Sequence, residues 1–293
     1  MNRPKIGLVL GGGGSRGLAH TGVLEVLVRE RIPIDLIVGT SMGGIIGVLF
    51  ALGYTPAQIA DEMSALLGTS FMDSLKLISS RGRQRKARIH LAETLEDKTF
   101  ADLALPVTLM AVDMVHGCEV TLTEGPLLPA VLASSAVPGA FPPVTHNEMQ
   151  LADGGVIDSL ATHVAYEQGA EKVIAVDVYP VLEKDNPWTD PISAVMGFQL
   201  PVGIFSISGI GADQIPTAAA SMWRAVRVMT WYLHQQRLAA HPPHVLLRPE
   251  VGSYGSLDFK DVDGPRQAGI VEAERHLVEL KALVTPTRDF NPQ

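Results

Sequence analysis

Along the chain, short uninterrupted apolar runs alternate with segments whose apolar residues recur every three or four positions. Lys5–Leu10 is such a run and ends in glycines; Leu18, Val23, Val26 and Leu27 follow at helical spacing, so a strand, a glycine turn and a helix are expected. Pro33 stops that helix, Ile34–Val38 reads as a second buried strand, and Met42–Ala51 reads as a helix entered through Ser41. Thr55-Pro56-Ala57-Gln58 is a helix start, with Thr as N-cap, Pro at the first helical position and Gln completing a capping box. Further strands are predicted over Val107–Val112, Glu119–Thr123, Val173–Val178 and His244–Leu247. Helices are predicted over Pro126–Ser134, Ser159–Gln168, Thr217–Leu238 and Pro265–Leu283. Strands that are apolar on both faces belong to a parallel sheet covered on both sides. The expected fold class is therefore α/β, a three-layer α/β/α arrangement around a largely parallel central sheet, with chemistry at the carboxyl ends of strands. No linker-like stretch interrupts the alternation, so residues 1–293 read as one domain.

Composition sharpens one part of this picture. Hydrophobic residues make up 46% of the 293 and charged residues 18%, and the mean hydropathy is +0.21, against about 25% charged in an average soluble domain. Doubly covered strands absorb part of this surplus, and the rest concentrates in 191–212, a stretch without any charge. Its length alone allows a membrane span. Gln199, Pro201 and its serines and glycines argue instead for a lid, a membrane-contacting insertion or a buried internal segment. Arg81–Arg88 holds five of the 23 basic residues, which suits either a solvated face or contact with anionic lipid headgroups. The net charge of -8 argues against a nucleic-acid partner. The single cysteine, Cys118, excludes an internal disulfide and a cysteine-rich metal site, and neither metal nor cofactor is expected. The N-terminal apolar run is too short for a signal peptide. A cytoplasmic location is expected, peripheral on the inner face of the membrane if 191–212 and Arg81–Arg88 act together as anchors.

Two turns carry candidate chemistry. Gly11-Gly12-Gly13-Gly14-Ser15-Arg16-Gly17 contains G-x-G-x-x-G between a strand and a helix. One reading is a dinucleotide site in an oxidoreductase, but Asp35, at the distance of a ribose-binding acid, precedes the second strand instead of following it. The other is a set of unhindered backbone amides at a positive helix end that face an oxyanion. The second turn, Gly39-Thr40-Ser41-Met42-Gly43, is G-x-S-x-G between an apolar strand and an apolar helix, the setting of a nucleophile elbow. Ser41 could also merely cap the helix. A nucleophilic serine needs a base. None of His20, His90, His116, His146, His163, His234, His241, His244 and His276 sits in a recognisable motif. Carboxylates at strand ends compete better: Asp113, Asp177 and Asp153, of which only Asp153 is followed by paired glycines, Gly154 and Gly155.

Gly12-Gly13-Gly14-Ser15-Arg16-Gly17, Gly39-Thr40-Ser41-Met42-Gly43 and Asp153-Gly154-Gly155 together resemble, in order and spacing, the three signatures of the patatin-like phospholipases. The segment Ala133–Pro143 resembles that family's Ser-Ala-x-Pro-x-x-Phe-x-Pro stretch, so the likeness runs over roughly Lys5 to Val178. The resemblance implies a patatin-like fold and a lipid acyl-ester hydrolase of Ser–Asp dyad type. Ser41 would be the nucleophile, Asp153 the base, and the amides around Gly12, Gly13 and Gly14 the oxyanion hole. Arg16 would position the glycine loop, with Gly17, Gly39, Gly43, Gly154 and Gly155 as supporting positions. A non-catalytic lipid-binding or regulatory protein of the same fold is the alternative from another class.

Overall fold

The computed structural model describes residues 3–68, 89, 91–182, 218–255 and 261–284. The charge-free stretch 191–212, the basic run Arg81–Arg88 and His90 lie outside the described residues.

The strands are β1 (Ile6–Leu10), β2 (Leu36–Thr40), β3 (Val107–Asp113), β4 (Cys118–Leu122), β5 (Val144–His146), β6 (Met149–Asp153), β7 (Lys172–Val176) and β8 (Val245–Leu247). They form one sheet with the hydrogen-bonded path β5-β6-β3-β2-β1-β7-β8, and β4 also pairs with β3. The pairs among β3, β2, β1, β7 and β8 are parallel, while β4, β5 and β6 pair antiparallel. The helices are α1 (Ala19–Arg29), α2 (Met42–Ala51), α3 (Pro56–Gly68), α4 (Leu127–Ser134), α5 (Thr162–Glu167), α6 (Ala218–Ala240), α7 (Asp263–Arg275) and α8 (Leu277–Val284).

The central strands divide their side chains between two cores, as period-two geometry requires. Ile6, Leu8 and Leu10 of β1, Ile37 of β2 and Ile174 and Val176 of β7 face a core built with α1, α2, α3, α4, α7 and α8. Val9, Leu36, Val38, Val173 and Ala175 face the opposite side, where Leu160, Val164, Ala165 and Leu238 close over them from α5, its preceding loop and α6. The three-layer α/β/α arrangement follows directly from that alternation. On the first face, α1 and α7 pack with almost no gap: a Cβ built on Gly22 would lie 1.9 Å from the Arg266 carbonyl oxygen.

Where expectation and structure differ, the cause is local. The capping box at α3 forms as read, with the Thr55 N–H donating to Gln58 Oε1 at 2.9 Å. The segment expected as helix from Ser159 begins only at Thr162, because Asp158, Ser159 and Leu160 are used in loop hydrogen bonds. The closing helix breaks at His276 into α7 and α8. Strand β5 was not foreseen: its residues are half-buried or exposed and carry little alternation.

Candidate active site

Ser41 sits between β2 and α2 with φ 54° and ψ -122°. Positive φ at a residue bearing a Cβ is strained. The turn needs a helix driven close under the sheet: a Cβ on Gly43 would lie 2.1 Å from the Leu10 carbonyl oxygen, and one on Gly39 would lie 2.5 Å from the Gly44 Cα. The Ser41 side chain makes no capping bond to α2, so the strain does not serve helix capping. Its hydroxyl instead lies beside the Asp153 carboxylate and favours the charged form of that group. Both residues are buried, at 7% and 6% exposure.

The register of β3 explains how a residue from a distant strand reaches Ser41. Met110 pairs with Thr40 of β2 and with Thr121 of β4; Ala111 pairs with Asp153 of β6 and with Val120 of β4. Since β4 covers one edge of β3 over Leu109–Asp113, β2 and β6 share the other edge, where the carboxyl ends of the two strands meet. The paired glycines after Asp153 serve this placement. A Cβ on Gly154 would crowd the Met110 backbone at 2.8 Å, and the Gly155 N–H donates to Asp153 Oδ1 at 2.8 Å. Burial pushes the Asp153 carboxyl up to about 6, against the Ser41 hydroxyl and the Gly155 N–H, which favour its charged form.

The segment Ala133–Pro143 touches both partners. The Ser41 N–H donates to Ser134 Oγ at 3.1 Å, and the Asp153 N–H donates to the Ala136 carbonyl at 3.1 Å. Ser134 was not singled out in the sequence, although it lies in the stretch that carried the resemblance. Its signal was there, but its partner could only come from tertiary structure.

The glycine turn leaves β1 and lies against Ser41, with a Cβ built on Gly12 coming within 3.4 Å of the Ser41 Cβ. Its amides are not equivalent. Gly11 N–H donates to the Val176 carbonyl and Gly12 N–H to the Ser159 carbonyl. Gly13 and Gly14, by contrast, open a 3-10 turn over Gly14–Leu18 and have no hydrogen-bond partner for their N–H groups among the described residues. Gly17 packs against Met42, the first residue of α2. Arg16 points away from this surface: its guanidinium donates to the Tyr254 carbonyl at 2.8 Å, beside the Ser15 hydroxyl, which donates to the Gly255 carbonyl at 2.6 Å.

The competing residues are engaged elsewhere. Asp113 bonds His116 and the N–H groups of Val115 and Gln150, and Asp177 bonds His234 and Arg248. Asp35 lies at the amino end of β2, paired with Arg3, whereas the glycine turn is at the carboxyl end of β1. In a parallel pair those are opposite ends of the sheet, so Asp35 cannot serve a ligand held by the glycines. Glu119, Asp158 and His163 bring ligand-type atoms within 4.8 Å of one another. His163 presents Nε2 to Glu119 at 3.4 Å and Nδ1 to Asp158 at 3.5 Å, while Arg237 lies 2.8 Å from Glu119. One ring nitrogen on each carboxylate is the geometry of a bridging imidazolium, and the two acids, Asp158 foremost, hold His163 up at about 9.

Residues 8–166 match the family profile described as patatin-like phospholipase, which is more than half of the chain. The chain belongs to the patatin-like phospholipase family. Its similar patatin-like relatives include an NTE family protein of Mycobacterium tuberculosis, 29% identical over 95% of this chain and 47% of that protein. Neuropathy target esterase sws of Drosophila melanogaster is 32% identical over 64% of this chain and 15% of that protein. A lysophospholipase of Kluyveromyces lactis is 26% identical over 94% of this chain and 19% of that protein. The chain thus spans about half or less of the length of these relatives. Among solved structures, VipD from Legionella pneumophila superposes with a TM-score of 0.49 and 11% identity, covering 96% of this chain and 67% of that one. Among the described residues, no helix is long and apolar enough to cross a membrane.

Proposed function

We propose that this patatin-like chain hydrolyses lipid acyl esters, with Ser41 as nucleophile, Asp153 as its base and the Gly13 and Gly14 amides as oxyanion donors. The observation that carries the reading is the strained Ser41 elbow, whose hydroxyl does not cap the helix and instead sits beside a buried carboxylate whose charged form it favours. Ser41 attacks the ester carbonyl while Asp153 accepts its proton; the charge that develops on the carbonyl oxygen meets amides already fixed in place. The proton then passes to the departing alcohol, and the same carboxylate activates water against the acyl-enzyme. Gly12, expected with the other two, is replaced in this scheme because its N–H is committed to Ser159. The names of the esterase and lysophospholipase relatives support a lipid ester as substrate. Peripheral contact with anionic membranes through 191–212 and Arg81–Arg88 belongs to the same proposal, as does a single-domain organisation.

The test is covalent labelling by a fluorophosphonate. Wild type labels and hydrolyses a short acyl ester; Ser41→Ala does neither, and Asp153→Asn loses turnover. Near-normal turnover by Asp153→Asn would sink the dyad.

A further inference from the structure

We propose that Ser159 is the positioning residue of the oxyanion hole, setting the direction of the Gly13 N–H through the peptide plane that Gly12 and Gly13 share. The inference rests on the proposed catalytic role of Ser41. A trans peptide is planar, and its C=O and N–H point in opposite directions; the chain contains no cis peptide bond among the described residues. The Ser159 hydroxyl donates to the Gly12 carbonyl at 2.9 Å. Holding that oxygen on the Ser159 side turns the Gly13 N–H of the same plane to the other side. The preceding plane is held as well: its N–H, that of Gly12, donates to the Ser159 carbonyl at 2.9 Å, and its C=O, that of Gly11, lies 2.7 Å from Nε2 of the fully buried His20. Burial lowers His20 to about 4, so its ring is neutral near pH 7 and supplies a donor without placing a positive charge beside the turn.

Two consecutive peptide planes are therefore clamped at three of their four polar groups, and the fourth is the Gly13 amide. Ser159 is buried, at 4% exposure, and lies in the loop that follows the Asp153-Gly154-Gly155 turn. One segment thus carries the base and also aims a donor. Without the hydroxyl, the Gly12–Gly13 plane is free to rotate, since glycines on both sides impose little restriction. An oxyanion donor acts through preorganisation, so loss of its fixed direction lowers the rate without weakening ground-state substrate binding.

The experiment measures short acyl ester hydrolysis by the full chain, together with inhibition by a trifluoromethyl ketone that forms a tetrahedral adduct. Ser159→Ala is expected to lower kcat about 10- to 100-fold, leave KM within about twofold, and weaken the ketone in proportion to kcat. Ser159→Thr, which keeps the hydroxyl, is expected to recover most of both. Should the alanine variant fail to fold, Ser159→Cys offers a weaker donor of similar size, and its kcat is expected to fall between those of wild type and inactive protein. Wild-type kcat and ketone affinity in either folded variant, or a rise in KM alone, overturns the inference while Ser41 labelling leaves the proposed function standing. Absence of Ser41-dependent labelling in wild type overturns both.

Discussion

Asp153 lies one register step beyond Thr40 on the same edge of β3, so the carboxylate arrives beside Ser41 from a strand running opposite to the one that carries the serine. Two strands meeting end to end along a third form a rigid seat for both groups. Neither depends on a flexible loop for its position, which is the condition for a proton transfer that needs no large rearrangement.

The pH dependence of the reaction follows from this seat. In the proposed dyad only ionised Asp153 takes the serine proton, and burial raises its carboxyl from 3.8 to about 6. Turnover should fall about tenfold per pH unit below that value and flatten above it. Because the folded-state value is the higher one, Asp153 contributes stability that is present below its ordinary range and lost as pH rises through about 6. Melting curves of Asp153→Asn should show a weaker pH dependence between those limits than wild type.

Strain at Ser41 can be separated from the loss of its hydroxyl. Ser41→Ala and Ser41→Gly both remove the hydroxyl beside Asp153, but only glycine relaxes at φ 54°. The glycine variant should be more stable than the alanine variant by about 1–2 kcal/mol, read by denaturant unfolding. Equal stability would show that the elbow is unstrained.

At Gly43 the constraint is space. A methyl group there would meet the Leu10 carbonyl oxygen at 2.1 Å, an atom fixed in the central strand. Gly43→Ala should destabilise the protein by about 3 kcal/mol or more, with a lower melting temperature and loss of labelling at Ser41. Gly252, with open space around it, should accept alanine with little change.

The Glu119–His163–Asp158 bridge gives a prediction in the alkaline range. His163 is raised from 6.5 to about 9, so its contribution to stability is full below pH 6.5 and lost as pH rises through about 9. His163→Gln should cost on the order of 1–2 kcal/mol near neutral pH, less than the whole shift because the bridge is partly exposed. The difference from wild type should vanish above pH 10, as measured by thermal unfolding.

What the sequence disclosed and what it withheld divide along physical lines. The strands β1, β2 and β7 were legible because burial on both faces demands continuous apolar runs, and Ser41 because a strand, a glycine-flanked turn and a helix must coincide for an elbow. Strand β5 was not, because Val144, Thr145 and His146 are half-buried or exposed and show no pattern. The roles of Ser134, Ser159 and His20 were equally hidden. Each acts through a backbone group, and the contacts of Ser134 with Ser41 and of Ser159 with Gly12 join residues far apart in the sequence. The partner of the Gly12 amide was hidden for the same reason: a glycine's presence says that the backbone approaches something, not which neighbour takes its amide.

The grip of Tyr254 and Gly255 on Arg16 and Ser15 has a consequence for where this chain can be cut. Every signature residue lies within the stretch 8–166 that carries the family profile. The turn bearing Gly13 and Gly14 nevertheless rests on carbonyls from the loop after β8, and α1 behind it is flush against α7. A fragment ending at residue 182 would hold Ser41, Asp153 and all the signature glycines, yet lack the floor beneath them. On the proposed mechanism the catalytic unit is the whole α/β/α body, and a shorter expression product should retain the motifs without the chemistry.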